Sequence, residues 1–266
     1  MTNNLNLRWP TRSGLPSSLA ITAFALLLIL LVLTAPLAEV DFIRFLKSIP
    51  NMMHFVGKIL VLPEWAYLSE LGSKMLETLE MTFIATSIAL LLSLPVGFLA
   101  AKNTSPHPLV FHATRSLLSF MRALPELVWA LVFVSAVGLG PLPGIMALAF
   151  VTVGFMGKFF AESIEVVSEG PIEGVAAHGA NWIQLRTFAH FPQAMPDFIG
   201  TTLYILDHNL RSAAILGLVG AGGIGYDMVM AMRLFDYDRL LLIAASIYIV
   251  VTLLDRLSDR FRMRVI

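Results

Sequence analysis

Three charged pairs interrupt segments that are otherwise apolar: Arg122 with Glu126, Lys158 with Glu162, and Asp207 with Arg211. Each pair is four residues apart, which in a helix puts both members on one face. A charge in the hydrocarbon core of a bilayer costs roughly 2.5–3.5 kcal/mol on insertion scales, so such groups are expected to face a cavity or each other. Lys158 and Glu162 read as an intrahelical ion pair near a span end, snorkelling to the interface. Asp207 and Arg211 sit near mid-segment beside His208 and Asn209, too deep to snorkel easily, and are the stronger candidates for lining a solute path.

Other reactive constellations are thin. The chain has no cysteine, which removes disulfides, thiolate metal sites, iron–sulfur ligation and thiol nucleophiles together. His112, His178, His190 and His208 share no metal-ligand spacing, so neither a metal nor another cofactor is expected. Gly220-Ala-Gly222-Gly223-Ile-Gly225 fits the G-x-G-x-x-G dinucleotide fingerprint letter for letter. That fingerprint works between a strand and a helix of a soluble βαβ unit, with an acidic residue about 20 positions on. These glycines instead close an apolar segment, where missing side chains let backbones approach closely, and a tight loop on the outer membrane face is expected. The chain also lacks a G-x-x-x-x-G-K-S/T loop, so it offers no phosphate-cradling nucleotide site of that kind.

These residues have to be positioned by helices in lipid. Of 266 residues, 57% are hydrophobic and only 14% charged, and the mean hydropathy is +0.79, which excludes a soluble globule. The charges balance at 18 of each sign, leaving no basic excess to hold a nucleic-acid backbone. A spanning helix needs about 20 mostly apolar residues. Leu19–Ala38 and Met81–Ala101 meet this without a charge. Ser116–Leu139, Leu142–Ala161 and Phe198–Val219 meet it around the charges above, and Leu240–Leu254 does so when its flanks join in. The expectation is an all-α polytopic membrane protein with six transmembrane helices and no internal repeat.

The first span follows Arg8 and Arg12, but its apolar core is too long for a secretory signal and no small-residue cleavage site closes it. An even number of spans puts both termini on one side, and Arg8, Arg12, Arg256, Arg260, Arg262 and Arg264 make that side the cytoplasm. Glu39–Glu80 then lies outside. Within it Phe42, Phe45, Leu46 and Ile49 fall at helical spacing opposite Asp41, Arg44, Lys47 and Ser48, the pattern of a helix on the lipid boundary.

Between the fourth and fifth spans, Ser168 to Pro196 breaks the membrane pattern. Pro171 suits a first helical position, Glu173 a first turn, and Gly179 the left-handed residue that ends a helix. Trp182, Leu185 and Phe188 share a face of a second short helix, which Pro192 and Pro196 are expected to end before the chain returns to the bilayer. A compact helix–turn–helix on the cytoplasmic side results.

At these residues the chain resembles the permeases of binding-protein-dependent ABC importers, whose cytoplasmic signature is Glu-Ala-Ala, three residues, Gly, nine residues, Ile/Leu, one residue, Leu-Pro. Glu173, Gly179 and Pro192 stand at matching intervals, with Gly174 and Val175 in place of the two alanines and Ala189 and Phe191 in place of the aliphatic pair. On either side, Arg122-Ala-Leu-Pro-Glu126-Leu-Val-Trp, Gly157-Lys-Phe-Phe-Ala-Glu and Asn209-Leu-Arg-Ser-Ala-Ala-Ile-Leu-Gly-Leu-Val-Gly-Ala-Gly-Gly-Ile-Gly225 are similar to the phosphonate ABC permeases of the PhnE type, from about Leu76 to the C-terminus. Leu206-Asp-His-Asn-Leu-Arg211 departs from that family's Phe-Glu-x-Asn-Val-Arg by a shorter acid.

The resemblance implies a type I, MetI-like importer permease fold. Residues 1–75 would form a cytoplasmic tail, first transmembrane helix and outer interfacial segment, and 76–266 a permease core with its coupling loop at 168–196. It also implies a cytoplasmic-membrane location, two copies of an ABC ATPase, a periplasmic or lipid-anchored substrate-binding protein, and a second permease subunit, either this chain or a paralogue. Glu173, Gly179, Trp182 and Pro192 would couple to the ATPase, and Gly220, Gly222, Gly223 and Gly225 would form the outer gate loop. A phosphonate or phosphate is an oxyanion whose passage needs a cation or aimed N–H donors, which singles out Arg211, then Arg122, with Asp207, Asn209 and Glu126 beside them. The rival reading is an ion-coupled secondary carrier of a small anion, which would use the same charges as a relay but has no need of the Glu173/Gly179/Pro192 loop.

Overall fold

A computed structural model describes residues 18–34, 41–59 and 65–265, which are helical with no strand among them. They divide into two compact units, Met1–Gly57 and Lys58–Ile266. In the first, α1 (Ser18–Thr34) is apolar on every side and its side chains from Ile21 to Thr34 are exposed. α2 (Phe42–Ile59) starts on Asp41, whose carboxylate accepts the Arg44 N–H at 2.9 Å as a helix cap.

The second unit opens with α3 (Leu68–Ala100), α4 (Pro108–Met121), α5 (Glu126–Val137) and α6 (Pro141–Glu165). Then come α7 (Glu169–Ala177), α8 (Trp182–Leu185), a π-helical turn (Arg186–His190), α9 (Phe191–Leu216), α10 (Ile224–Arg233) and α11 (Tyr237–Val265). α6 is the central element, packed on α3, α4, α5 and α9. It fits there because it carries small residues where neighbours press in: a Cβ on Gly157 would stand 2.8 Å from the Leu118 side chain. Phe160 on α6 and Phe198 on α9, with ring centroids 4.3 Å apart, fill the space below.

Among the described residues, three helical segments are long and apolar enough to cross a bilayer: Trp65–Ala100, Pro141–Glu165 and Tyr237–Met263. Two bent pairs, Pro108–Met121 with Glu126–Val137 and Trp182–Val219 with Ile224–Arg233, bring the number to five if each is one span. The expected count of six is not confirmed. α1 has only 17 described residues, and the remainder of the expected Leu19–Ala38 span, like Arg8 and Arg12, lies outside the described residues.

Two local expectations are corrected. Ser116–Leu139 is not one helix: it breaks at Arg122–Pro125 with an 84° bend. Pro125 disfavours helical backbone at Leu124 and then caps α5, so the chain turns there. Conversely, Pro192 and Pro196 do not stop the second short helix of the 168–196 segment, which runs through the π turn into α9. The Phe191 N–H reaches back five residues to the Arg186 carbonyl, and Pro192 then falls in the first turn of α9, where a missing N–H is tolerated. Pro196 leaves one further carbonyl without its helical donor and the helix persists.

Candidate functional site

α9 presents two different faces. Tyr204, His208, Arg211 and Ile215 are exposed, whereas Ile205, Asn209, Ser212 and Leu216 are buried against the bundle. Asn209, only 3% exposed, is held from both ends of its amide: Nδ2 donates to Thr86 Oγ1 of α3 at 3.0 Å, and Oδ1 accepts from Thr152 Oγ1 of α6 at 3.0 Å. One turn on, Ser212 Oγ donates to Glu126 Oε1 at the start of α5, at 2.7 Å. Interhelical hydrogen bonds of this kind average about 0.6 kcal/mol in a membrane, so their larger contribution is to fix the rotation of α9 against three neighbours.

A cavity of about 110 Å³ opens beside this network, lined by Glu126, Thr152, Phe155, Tyr204, His208 and Asn209 among others. Asp207 and Arg211 pair with each other as their spacing predicts, but unequally: the Asp207 side chain is 8% exposed and the Arg211 side chain 49%. Asp207 Oδ1 is buried without a hydrogen-bond partner among the described residues. Arg211 therefore reaches outward from a buried acid, and a guanidinium has five N–H donors of which this bond uses one.

Arg122 and Glu126 do not share a helix face, contrary to their spacing, because the bend at Pro125 separates them: Arg122 caps the end of α4 and Glu126 begins α5. The Arg122 guanidinium lies 6.0 Å from the centroid of the Phe155 ring, and its Nε is buried without a partner among the described residues. Lys158 and Glu162 form their pair at 3.4 Å, half-exposed on α6. Sequence reasoning missed Thr86, Thr152 and Ser212. For Thr86 a signal existed, since Thr78, Thr82 and Thr86 recur every four residues and mark one buried face of α3.

The glycine segment forms a tight loop of the second unit. After a 3₁₀ turn at Gly217–Val219, Gly220, Gly222 and Gly223 all take positive φ, of 77°, 81° and 73°. The first free N–H groups around the start of α10 are capped from α3: Gly223 N–H donates to Glu77 Oε1 at 3.0 Å and Ile224 N–H to Thr78 Oγ1 at 2.8 Å. Lys74 pairs with Glu77 at 2.9 Å, and the Gly140 N–H donates to the Gly220 carbonyl at 3.0 Å. Gly225 packs its Cα onto the Ala214 carbonyl, backbone against backbone. Helices flank the segment on both sides, so the dinucleotide fingerprint has no strand to stand on. Glu77 and Thr78, which hold the loop, were not singled out from the sequence.

The loop at 168–196 builds a third region. No residue of α7 is buried, and Glu173 is exposed on it. Gly179 has φ +77°, the left-handed conformation its position after α7 calls for. Asn181 and Gln184 then form a reciprocal capping box at 2.9 and 2.8 Å, a signature readable in the sequence but not used. Trp182 is half-exposed under the Arg186 guanidinium, 4.4 Å from its centroid, and Arg186 donates to the Thr104 carbonyl at 3.0 Å. Pro192 is exposed at the start of α9. Below the loop, Glu165 Oε1 accepts from the Lys102 N–H at 2.6 Å and from Arg115 at 2.8 Å, and Gln193 Oε1 accepts the Ser168 N–H at 3.1 Å. None of these bonds figured in the sequence reading: Gln193 ties the start of α7 to α9, Arg186 ties the end of α8 to Thr104, and Glu165 joins the end of α6 to α4 and to the turn after α3.

Residues 93–266 match the family described as the binding-protein-dependent transport system inner membrane component. The chain is 39% identical over 222 residues to the phosphite transport system permease protein PtxC of Stutzerimonas stutzeri, covering 84% of this chain and 80% of that relative. It is 40% identical over 190 residues to the phosphate-import permease protein PhnE of Mycolicibacterium smegmatis, covering 71% of this chain and 36% of that longer relative. In fold it is similar to an inward-facing structure of the MetNI methionine ABC transporter, with a TM-score of 0.67 at 22% identity over 76% of this chain and 99% of that one.

Proposed function

Since the chain belongs to the inner membrane components of binding-protein-dependent transport systems, we propose that it carries phosphonate, phosphite or phosphate-like oxyanions across the cytoplasmic membrane as half of an ABC importer's pathway. It is the transmembrane permease and not an enzyme; ATP is hydrolysed in a partner subunit. The observation that carries the substrate class is the 39% identity, across 84% of the chain, to a permease named for phosphite transport. In this reading both termini and the loop at 168–196 are cytoplasmic, and an external binding protein delivers the anion to the side bearing Gly220, Gly222, Gly223 and Gly225. The proposal for the pathway is that Arg211 meets the anion, with Asp207 setting its position, Asn209 and Glu126 fixing α9, and Arg122 as a second cation.

The test of the substrate class uses proteoliposomes holding this chain, its ATPase and its binding protein. ATP hydrolysis should rise when the binding protein is loaded with a phosphonate or phosphite and stay basal with sulfate. Equal stimulation by sulfate would remove the phosphorus oxyanion from the reading.

Glu173, Gly179, Trp182 and Pro192 are proposed to frame the surface that seats in the ATPase. What supports this is an exposed pair of short helices turned at a left-handed glycine and tied down at Ser168 and Arg186. Gly179→Val places a β-branched residue at φ +77°, a conformation such residues avoid. Nothing lies within 4 Å of the added Cβ, so the strain is confined to the turn and the membrane body is expected to stay folded. Co-purification of the ATPase should drop while the permease yield holds; wild-type assembly and transport by this variant would sink the coupling role.

One copy is proposed to supply half of the pathway, with the exposed face of α9 turned towards a second permease. Native mass spectrometry of the assembled importer should give two permease subunits for two ATPase subunits. A single permease subunit in the active assembly would rule this out.

A further inference from the structure

The amphipathic helix α2 carries none of the residues proposed for the pathway or the coupling surface, and its chemistry is one-sided. Arg44, Lys47, Asn51, His54 and Lys58 recur at three- and four-residue intervals along one side, and Leu46, Ile49, Met53 and Val56 do so along the other. No acidic residue occurs between Phe42 and Ile59, and the one acid at its head, Asp41, is used to cap the helix. The four apolar side chains are 39% to 71% exposed. We infer that α2 lies flat in the membrane interface, its apolar side in the acyl boundary and Arg44, Lys47 and Lys58 against anionic lipid headgroups.

Three observations favour a lipid surface over other occupants. The polar side carries only positive charge, which complements anionic headgroups and their surface potential. Seven residues separate α2 from α1, a helix apolar on every side and so suited to lipid, and five separate it from the Trp65–Ala100 span. Seven residues reach at most about 25 Å when fully extended, so α2 is tethered within reach of a bilayer at both ends. Finally, Leu46, Ile49, Met53 and Val56 put exposed aliphatic area along the apolar side, and interfacial binding scales with the apolar area buried.

The absence of cysteine makes the test clean, because single cysteines can be introduced into the full-length chain. Met53→Cys reports the apolar side and Asn51→Cys the basic side, each labelled with an environment-sensitive fluorophore in vesicles of phosphatidylcholine with or without phosphatidylglycerol. With phosphatidylglycerol present, the probe at 53 should be shielded from aqueous iodide and quenched by spin-labelled lipid, while the probe at 51 stays accessible to iodide. Each basic residue is expected to raise the ratio of seated to lifted helix on the order of fivefold. Removing the anionic lipid, or making Arg44→Gln, Lys47→Gln and Lys58→Gln together, should therefore expose the probe at 53. Equal iodide access at both positions would overturn the inference. So would shielding at 53 without quenching by labelled lipid, which would place that side against protein, and so would equal shielding with and without phosphatidylglycerol.

Discussion

Gly225→Val is expected to prevent the permease from folding into a stable form. A Cβ at this position would collide with the Ala214 carbonyl oxygen, and it would stand 2.9 Å from the Ala214 carbonyl carbon and 3.1 Å from the Gly217 Cα. All three are backbone atoms, so no side chain can swing aside, and relief requires the start of α10 to move off the end of α9. That movement would also pull Gly223 and Ile224 from their caps on Glu77 and Thr78. Overpacking costs about 1–3 kcal/mol where side chains can adjust and more where the backbone must shift. The expected result in detergent is loss of monodisperse protein, or a midpoint lowered by on the order of 10 °C. Gly174→Ala is the control: its Cβ meets nothing within 4 Å on exposed α7, and stability should be unchanged or slightly raised because alanine is the better helix former. Wild-type stability of Gly225→Val would contradict the backbone crossing.

Arg211→Ala is expected to cost uptake about 10- to 100-fold in assembled complexes, the equivalent of the ~1.5–3 kcal/mol in a hydrogen bond to a charged group. A stability effect has to be separated from this one, because the change strands the Asp207 carboxylate, 8% exposed and already short of one partner. Stranding a buried acid destabilises, here by less than the ~3–5 kcal/mol of a fully buried pair because Arg211 is half exposed and screened by solvent, whereas removing both charges is often neutral. The double variant Asp207→Asn with Arg211→Ala therefore restores stability without restoring the cation. If Arg211 meets the anion, the double variant is stable and still fails to transport, and Asp207→Asn alone is milder because it frees guanidinium donors. Uptake restored in the double variant would leave the pair a structural one.

Local features of this chain were legible from sequence, and features set by distant partners were not. Gly179 is an example of the first kind: the glycine after a polar helical segment carries the left-handed turn by itself. The Asp207–Arg211 pair is another, since both members ride on one unbroken helix. The same four-residue rule failed for Arg122 and Glu126 because it presumes helix between them, and Pro125 removes it. Pro192 and Pro196 misled in the other direction: a five-residue hydrogen bond from Phe191 absorbs the first, and periodicity at 3.6 residues carries no trace of it. At the membrane site, Asn209 stood out as a polar residue in an apolar run, but its partners Thr86 and Thr152 lie 123 and 57 residues away and only the packing of α3, α6 and α9 names them.

Uptake by a fully defined system tests the central claim most directly. Proteoliposomes are made with this chain, its ATPase and its binding protein, and entry of a labelled phosphonate or phosphite is followed with ATP or with imposed proton and sodium gradients. The account predicts uptake that requires ATP and the binding protein, with the rate unchanged when both gradients are collapsed. Uptake by this chain alone, driven by an ion gradient without ATP, would contradict it.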